Sequence, residues 1–197
     1  MNCCGRFSVF TVSSGRAAEG GRLGIGLALA AAEAVARESG CPVGLKWPND
    51  VFLAGRKVGG VLVETESEGG RITGAVLSLG LNVNLAGADL PEETRAQATS
   101  LREVTGRSHN LARLAAEVLG GLERMWPEVI TGGRALAERW SRWDVLRGEE
   151  VEIETGEEAV SARAGGIDEE GALIAVVGGE TRRVRVGEVR AVRMVAE

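Results

Sequence analysis

The sequence predicts an α+β protein, with one mixed sheet and packed helices followed by a small β-barrel. Three observations carry this. Strand-like runs flank a long alanine- and leucine-rich stretch, Leu23–Glu38. Two further helical patterns follow at Leu111–Met125 and Arg134–Trp143. After Gly148 the texture changes to five short apolar runs with turn residues between most of them, the spacing of a small barrel. The boundary is expected near Leu146, giving units over 1–146 and 147–197.

Taken in order, Arg6–Val12 alternates bulky and small residues and reads as a strand. Leu23–Glu38 has few polar residues, so it should be a largely buried helix, stopped by Gly40. Val43–Lys46 is a short strand broken by Pro48. Val51–Leu53 and Lys57–Thr65 form a hairpin turning at Ala54-Gly55-Arg56. Ile72–Asn84 is a long apolar strand whose alternation is too irregular to set a register. Leu85–Ser108 is long for a structureless connection, so part of it should be ordered in a form the pattern does not reveal. Asn110 caps the next helix and Pro127 ends it. The barrel strands are expected at Val151–Ile153, Ala159–Ile167, Ala172–Val177, Arg182–Val186 and Val189–Arg193, with turns at Thr155-Gly156, Glu169-Glu170-Gly171 and Gly178-Gly179.

The 197 residues, 44% hydrophobic, suffice for a sizeable core. A formal charge of −5 argues against general nucleic-acid binding, which needs a basic footprint. No stretch approaches a membrane span, so no membrane partner is expected. Cys3, Cys4 and Cys41 show neither a disulfide framework nor zinc spacing, which suits a cytoplasmic location.

Chemistry concentrates in three segments. In Lys46-Trp47-Pro48-Asn49-Asp50, Pro48 makes Trp47 extended and Asn49-Asp50 favours a bend, so polar groups can converge. On spacing alone, a solvated strand-turn-strand is an equal reading. In Lys57-Val58-Gly59-Gly60, two glycines weaken an apolar strand. They mark a bulge, or close approach of a ligand or another backbone. On spacing alone a bulged hairpin with an exposed lysine is the better account. In Gly80-Leu81-Asn82 a glycine again interrupts a strand. Lys46 and Lys57 are the only lysines in an arginine-dominated chain. His109 reads as a loop residue without a nearby partner, Trp126, Trp140 and Trp143 as packing residues, and Glu149-Glu150 as a solvated charge run. Gly24-x-Gly26 lacks the setting of a dinucleotide fingerprint.

Together the three segments resemble biotin protein ligases in order and spacing. Arg142-Trp143 and Gly166–Leu173 resemble that family's C-terminal region, and the resemblance runs from about Ser8 onward. It implies a class II synthetase-like catalytic domain closed by an SH3-like barrel. It also implies ATP-dependent attachment of biotin, through biotinyl-adenylate, to a lysine on the biotin-carrier domain of acetyl-CoA carboxylase or a related carboxylase. By resemblance, Lys57 and Lys46 are catalytic, and Lys57, Gly59, Gly60 and Leu62 bind biotin. Lys46, Asn49, Asp50 and Asn82 bind the nucleotide, and Asp50 holds Mg²⁺. Both a monomer and a homodimer stay open.

The family's Gly-Arg-Gly-Arg-x-Gly-Arg loop and its upstream Ser/Thr-rich segment have no counterpart in these residues. The chain is therefore expected to begin inside the catalytic domain. Of a misplaced start, a broken gene and a deliberate fragment, the Met1-Asn2-Cys3-Cys4 opening favours the first two. Little ligase activity is expected of the chain as it stands. The competing reading is a non-catalytic fragment with residual nucleotide, biotin or acceptor binding. A purely structural barrel protein would have no need of Lys46–Asp50, and lipoate-attaching enzymes would not be expected to carry that motif.

Overall fold

The computed structural model describes residues 4–11, 15–16, 20–90, 92–155 and 158–191, without the side chains of 4–11, 15–16, 158 and 191. Cys3, Val12, Gly156 and Arg193, named above, lie outside the described residues. Among the described residues, eleven strands and four α-helices follow the order β1 (Cys4–Thr11), β2 (Gly15–Arg16), α1 (Gly20–Ser39), β3 (Val43–Lys46), β4 (Asp50–Leu53), β5 (Arg56–Glu68), β6 (Arg71–Asn82), α2 (Leu101–Thr105), α3 (Leu111–Thr131), α4 (Arg134–Ser141), β7 (Glu150–Thr155), β8 (Glu158–Ile167), β9 (Leu173–Val177), β10 (Glu180–Val184) and β11 (Glu188–Ala191). The α+β class holds. The first sheet runs β1-β6-β5-β4-β3, with β2 also on β6, and the second runs β10-β9-β8-β7-β11. The first sheet was expected to be mixed. Its strand pairs are antiparallel, and among the described residues parallel pairing is confined to two isolated bridges, Leu45 with Asp144 and Lys57 with Ala98.

The hairpins follow from turn chemistry. Ala54 (φ 49) and Gly55 (φ 78) both have positive φ, the requirement of a tight turn whose twist matches its strands. Helix α1 is buried nearly all round because it lies between the sheet and α3, which explains its lack of polar residues. Small residues set the approach of the two helices. A Cβ at Gly26 would fall on Val129, and one at Gly121 would meet Ala30.

Helix α3 does not end at Pro127; it continues to Thr131. The missing N–H costs about 3 kcal/mol in a helix interior. Tertiary contacts offset it. Val129 is buried against α1, and Arg22, itself buried, donates to the carbonyls of Ile130 (2.8 Å) and Thr131 (3.4 Å) at the helix end.

The Leu85–Ser108 connection is ordered as a 3-10 turn at Gly87–Asp89, a series of turns, and α2. The Ser100 hydroxyl accepts the Glu103 N–H, and Gly106 (φ 72) closes the helix. His109 is a loop residue, but its ring is buried and partnered. Nδ1 lies 2.7 Å from Glu38 Oε1 and Nε2 lies 2.7 Å from Thr105 Oγ1. Asn84 accepts from the His109 N–H and donates to its carbonyl. The end of α1 is thus tied to the segment entering α3.

The second sheet buries Val151, Ile153, Ala162, Ala164, Leu173 and Val189. The chain reaches it through residues 143–145, whose backbone pairs with Leu45 on the edge of β3. Trp140 is fully buried, with Trp126 and Trp143 partly buried against the same core. Among the described residues no helix is long and apolar enough to cross a membrane, and Cys41 is a free thiol.

The hydrogen bond from His109 holds the Glu38 carboxyl below the usual glutamate range, outweighing the opposing effect of desolvation. A carboxyl depressed in the folded state stabilises the fold above its unfolded pKa of about 4.3, and that contribution is lost as pH falls through the folded value. Glu38→Gln should therefore lower unfolding free energy at pH 7 by about 1–3 kcal/mol and flatten the loss of stability below about pH 4.3. Urea unfolding at several pH values checks this; an unchanged acid slope would contradict it.

Candidate active site

Register builds the site. On β6, Ala75, Leu77, Leu79 and Leu81 turn towards the helices, while Gly74, Val76, Ser78, Gly80 and Asn82 take the opposite, open face. Gly60 pairs with Gly80, Asp50 with Gly60, and Lys46 with Asp50. Directly paired residues share a face. One row across four strands therefore reads Lys46, Asp50, Gly60, Gly80. A Cβ on Gly80 would meet nothing within 4 Å, and one on Gly60 would meet Asp50 Oδ1 at 3.3 Å and Lys57 Cε at 3.8 Å. The two glycines leave a strip of bare backbone bordered by charge.

Lys57 reaches this face through a β-bulge. Val51 pairs with Gly59 and Phe52 with Lys57, so Val58 is the extra residue. In an unbroken strand Lys57 would share the helix-facing side with Gly59 and Val61. The extra residue reverses the alternation. Val58 is buried, and the Lys57 side chain, 47% exposed, places Nζ 2.5 Å from Asp50 Oδ1. Gly59 lies on the opposite face. A Cβ there would fall on the Gly80 carbonyl and Leu81, so close approach of β6 accounts for this glycine. Of the explanations offered for the glycine pair, close approach of another backbone accounts for Gly59, and the bulge falls beside the pair, at Val58.

The other expected residues are placed as follows. Asn49 donates through its amide to the Val61 carbonyl (2.7 Å) and its own carbonyl accepts the Val61 N–H (2.9 Å), fixing the bend against β5. The Asn82 amide donates to Thr99 O (3.1 Å), joining the end of β6 to the segment before α2. Leu62 is 57% exposed on the open face beside Gly60. The Trp47–Pro48 peptide is cis, and the buried Trp47 indole N–H donates to Gly171 O (3.0 Å) in the turn between β8 and β9. The second sheet thereby touches the Lys46–Asp50 bend.

A cavity of about 280 Å³ adjoins the row, lined by Gly20, Gly21 and Gly24 of α1, by Pro48 and Asn49, and by Val61, Leu62, Val63 and Thr65. It shares Asn49 and the Leu62 end of β5 with the site but holds no charged side chain. Its lining suits an apolar group, whereas the cations and the carboxylate stand on the neighbouring row.

Among the described residues no cluster of three or more His, Cys, Asp or Glu side chains could hold a metal ion. Asp50 is the one carboxylate in the row. Sequence reasoning missed Arg56, Thr99 and Glu103, which surround the Lys57 backbone. Arg56 donates to Glu103 Oε1 (2.7 Å) and Ala98 O (3.3 Å), and Thr99 Oγ1 lies 3.2 Å from Glu103 Oε2. The Ser100-x-x-Glu103 spacing, a helix-start signal, was the available clue.

Residues 7–84 match the biotin/lipoate A/B protein ligase family and residues 147–190 the biotin protein ligase C-terminal domain. The biotin–[acetyl-CoA-carboxylase] ligase of Mycobacterium tuberculosis is 34% identical over 173 residues, 86% of this chain and 62% of that protein. The bifunctional ligase/repressor BirA of Bacillus spizizenii is 28% identical over 148 residues, 75% of this chain and 46% of that protein. The chain thus spans about half the length of the curated relatives it matches. The structure of the biotin protein ligase from Aquifex aeolicus superposes with a TM-score of 0.82 at 24% identity, covering 96% of this chain and 82% of that one, a likeness of fold. With two family domains matched in order and curated ligases aligned along most of its length, the chain belongs to the biotin protein ligase family.

Proposed function

We propose that the open face of the first sheet is a biotin-adenylating site, and that the protein attaches biotin to a lysine of a carboxylase's biotin-carrier domain. The observation that carries the reading is the bulge that turns Lys57 onto the face holding Asp50, Gly60 and Gly80. Relatives named as biotin–[acetyl-CoA-carboxylase] ligases support the acceptor class, and a related structure described as a complex with biotin and ATP supports the substrates. The division near Leu146 into a catalytic unit and a barrel belongs to the same proposal.

In the first step a biotin carboxylate oxygen attacks the α-phosphorus of ATP. The bond to the bridging oxygen of the β-phosphate breaks and pyrophosphate leaves. In the second, the carrier lysine's neutral amine attacks the acyl carbon. The bond to the AMP oxygen breaks, the amide forms, and the amine loses a proton. Two anions must meet in the first step, so cations aimed at the reacting oxygens are the central requirement. Lys57 holds the carboxylate and α-phosphate oxygens, and Lys46, next to Asp50 in the row, serves the phosphates. Gly60 and Gly80 let biotin lie against backbone with Leu62 at its side. Asn82 and Asn49 border the nucleotide. A magnesium ion would arrive with the phosphates, and the single carboxylate Asp50 fits that mode of binding, in which the metal offsets phosphate charge.

A second reading, biotin or nucleotide binding without turnover, is favoured by one observation: these residues contain no Gly-Arg-Gly-Arg-x-Gly-Arg stretch. Turnover by the 197-residue chain is accordingly expected to be low, and the ratio between variants carries the test.

Lys57→Ala should cut biotin-dependent pyrophosphate release about 10- to 100-fold, the loss of a charge-assisted contact worth roughly 1.5–3 kcal/mol. Biotin titration distinguishes the two readings: binding that depends on Lys57 without pyrophosphate release supports the second. Release at an equal rate in both proteins would overturn the role of Lys57.

The two glycines should separate. Gly60→Val should weaken biotin binding at least about tenfold while costing less stability than Gly59→Val, which forces a side chain into the β6 backbone at about 1–3 kcal/mol. Thermal unfolding and biotin titration on both variants check this. A variant pair in which Gly59→Val alone affects biotin would contradict the assignment of faces.

A further inference from the structure

We propose that Arg56 and Glu103 are positioning residues for Lys57, acting through the segment Gln97–Thr99; the functional consequence rests on the proposed biotin site. The last β5–β6 pair is Gly59 with Leu81, so β6 does not run alongside Lys57. Residues 97–99 take its place. The Lys57 N–H donates to Gln97 O (2.8 Å) and the Lys57 carbonyl accepts the Thr99 N–H (2.9 Å), forming a parallel bridge with Ala98. Both peptide groups of the lysine therefore depend on a segment from the connection between β6 and α3.

That segment is fastened by side chains. Arg56 Nη1 binds Glu103 Oε1 and Ala98 O, and Glu103 Oε2 bonds Thr99 Oγ1. The Glu103 N–H donates to Ser100 Oγ, whose hydroxyl donates to Leu85 O (2.6 Å). Thr99 and Ser100 have no exposed surface. An ion pair that is one-third exposed adds little to global stability. Its bonds are instead spent on the strand-like segment that fixes the backbone at the bulge. Side-chain aim at a bulge depends on the local backbone twist, so loosening 97–99 releases Nζ from the row.

The test uses the whole chain, with hydrogen exchange at the Lys57 and Thr99 amides and biotin titration as readouts. Arg56→Ala should speed exchange at both amides about tenfold and weaken biotin binding about tenfold, with a small change in melting temperature. Glu103→Ala should do the same, and the double variant should be no worse than either. In a Lys57→Ala background, Arg56→Ala should add no further loss of biotin affinity. Glu103→Gln keeps the side-chain shape and serves where truncation impairs folding. Unchanged exchange at Lys57 and Thr99 overturns the proposal, as does an equal loss of affinity with Lys57 already removed. A wild-type chain that binds no biotin overturns the proposed function, and the exchange arm still decides whether Arg56 and Glu103 hold residues 97–99 against Lys57.

Discussion

A single extra residue in β5 organises this face of the protein. Because side chains alternate along a strand, the placement of Lys57 is a matter of parity. Val58, inserted against the Val51–Phe52 pair, sends its own side chain into the core and turns Lys57 outward to Asp50. The bulge has a cost. It leaves the Lys57 peptide groups away from the β5–β6 ladder, and buried peptide groups need partners. The connection before α2 supplies them through Gln97 and Thr99. A distortion in one strand and the order of a distant loop are therefore two ends of one arrangement.

The rest of the fold braces that arrangement. Helix α1 gives the sheet an almost wholly apolar backing, so the open face need not contribute to the core and can carry glycines and charges. The second sheet reaches the site at the turn that accepts the Trp47 indole N–H. Its docking is reinforced nearby, where the Gly133 N–H donates to Glu169 O, and within the second sheet Arg183 holds the same turn through Asp168. Asp144, half-buried at the junction, has its carboxyl raised above the usual aspartate range by desolvation although the Leu146 N–H opposes the shift. The same stretch covers the free edge of β3 through Leu45, which removes an unpaired strand edge from solvent.

What the sequence revealed followed from how local each cause was. The Ala54-Gly55 hairpin, helix α1 and the five short strands after Gly148 are driven by turn chemistry and periodicity, and their elements lie within a few residues of expectation. The motif residues were legible as a family pattern, but their geometry was not. Gly59 and Gly60 look equivalent in the chain, and only the cross-strand partner separates one that packs from one that opens the face. Helix α3 passes Pro127 because Arg22, on another helix, caps its end. His109 finds Glu38 some 71 residues away. The segment before α2 is ordered by bonds to Lys57 and Asn82, invisible to any local pattern, although Ser100-x-x-Glu103 and Gly106 marked its helix.

In the ion pair with Lys57, Asp50 holds the ammonium over the glycine strip, so in the proposed function an incoming carboxylate would meet a cation already aimed at it. Under the proposed function, binding would exchange one carboxylate partner for another. A crystal structure of the chain with biotin tests this most directly. The account predicts the biotin carboxylate within about 2.7–3.2 Å of Lys57 Nζ, with the ring system lying over Gly60 and Gly80 beside Leu62. Biotin bound elsewhere, or bound with its carboxylate remote from Lys57, would contradict it.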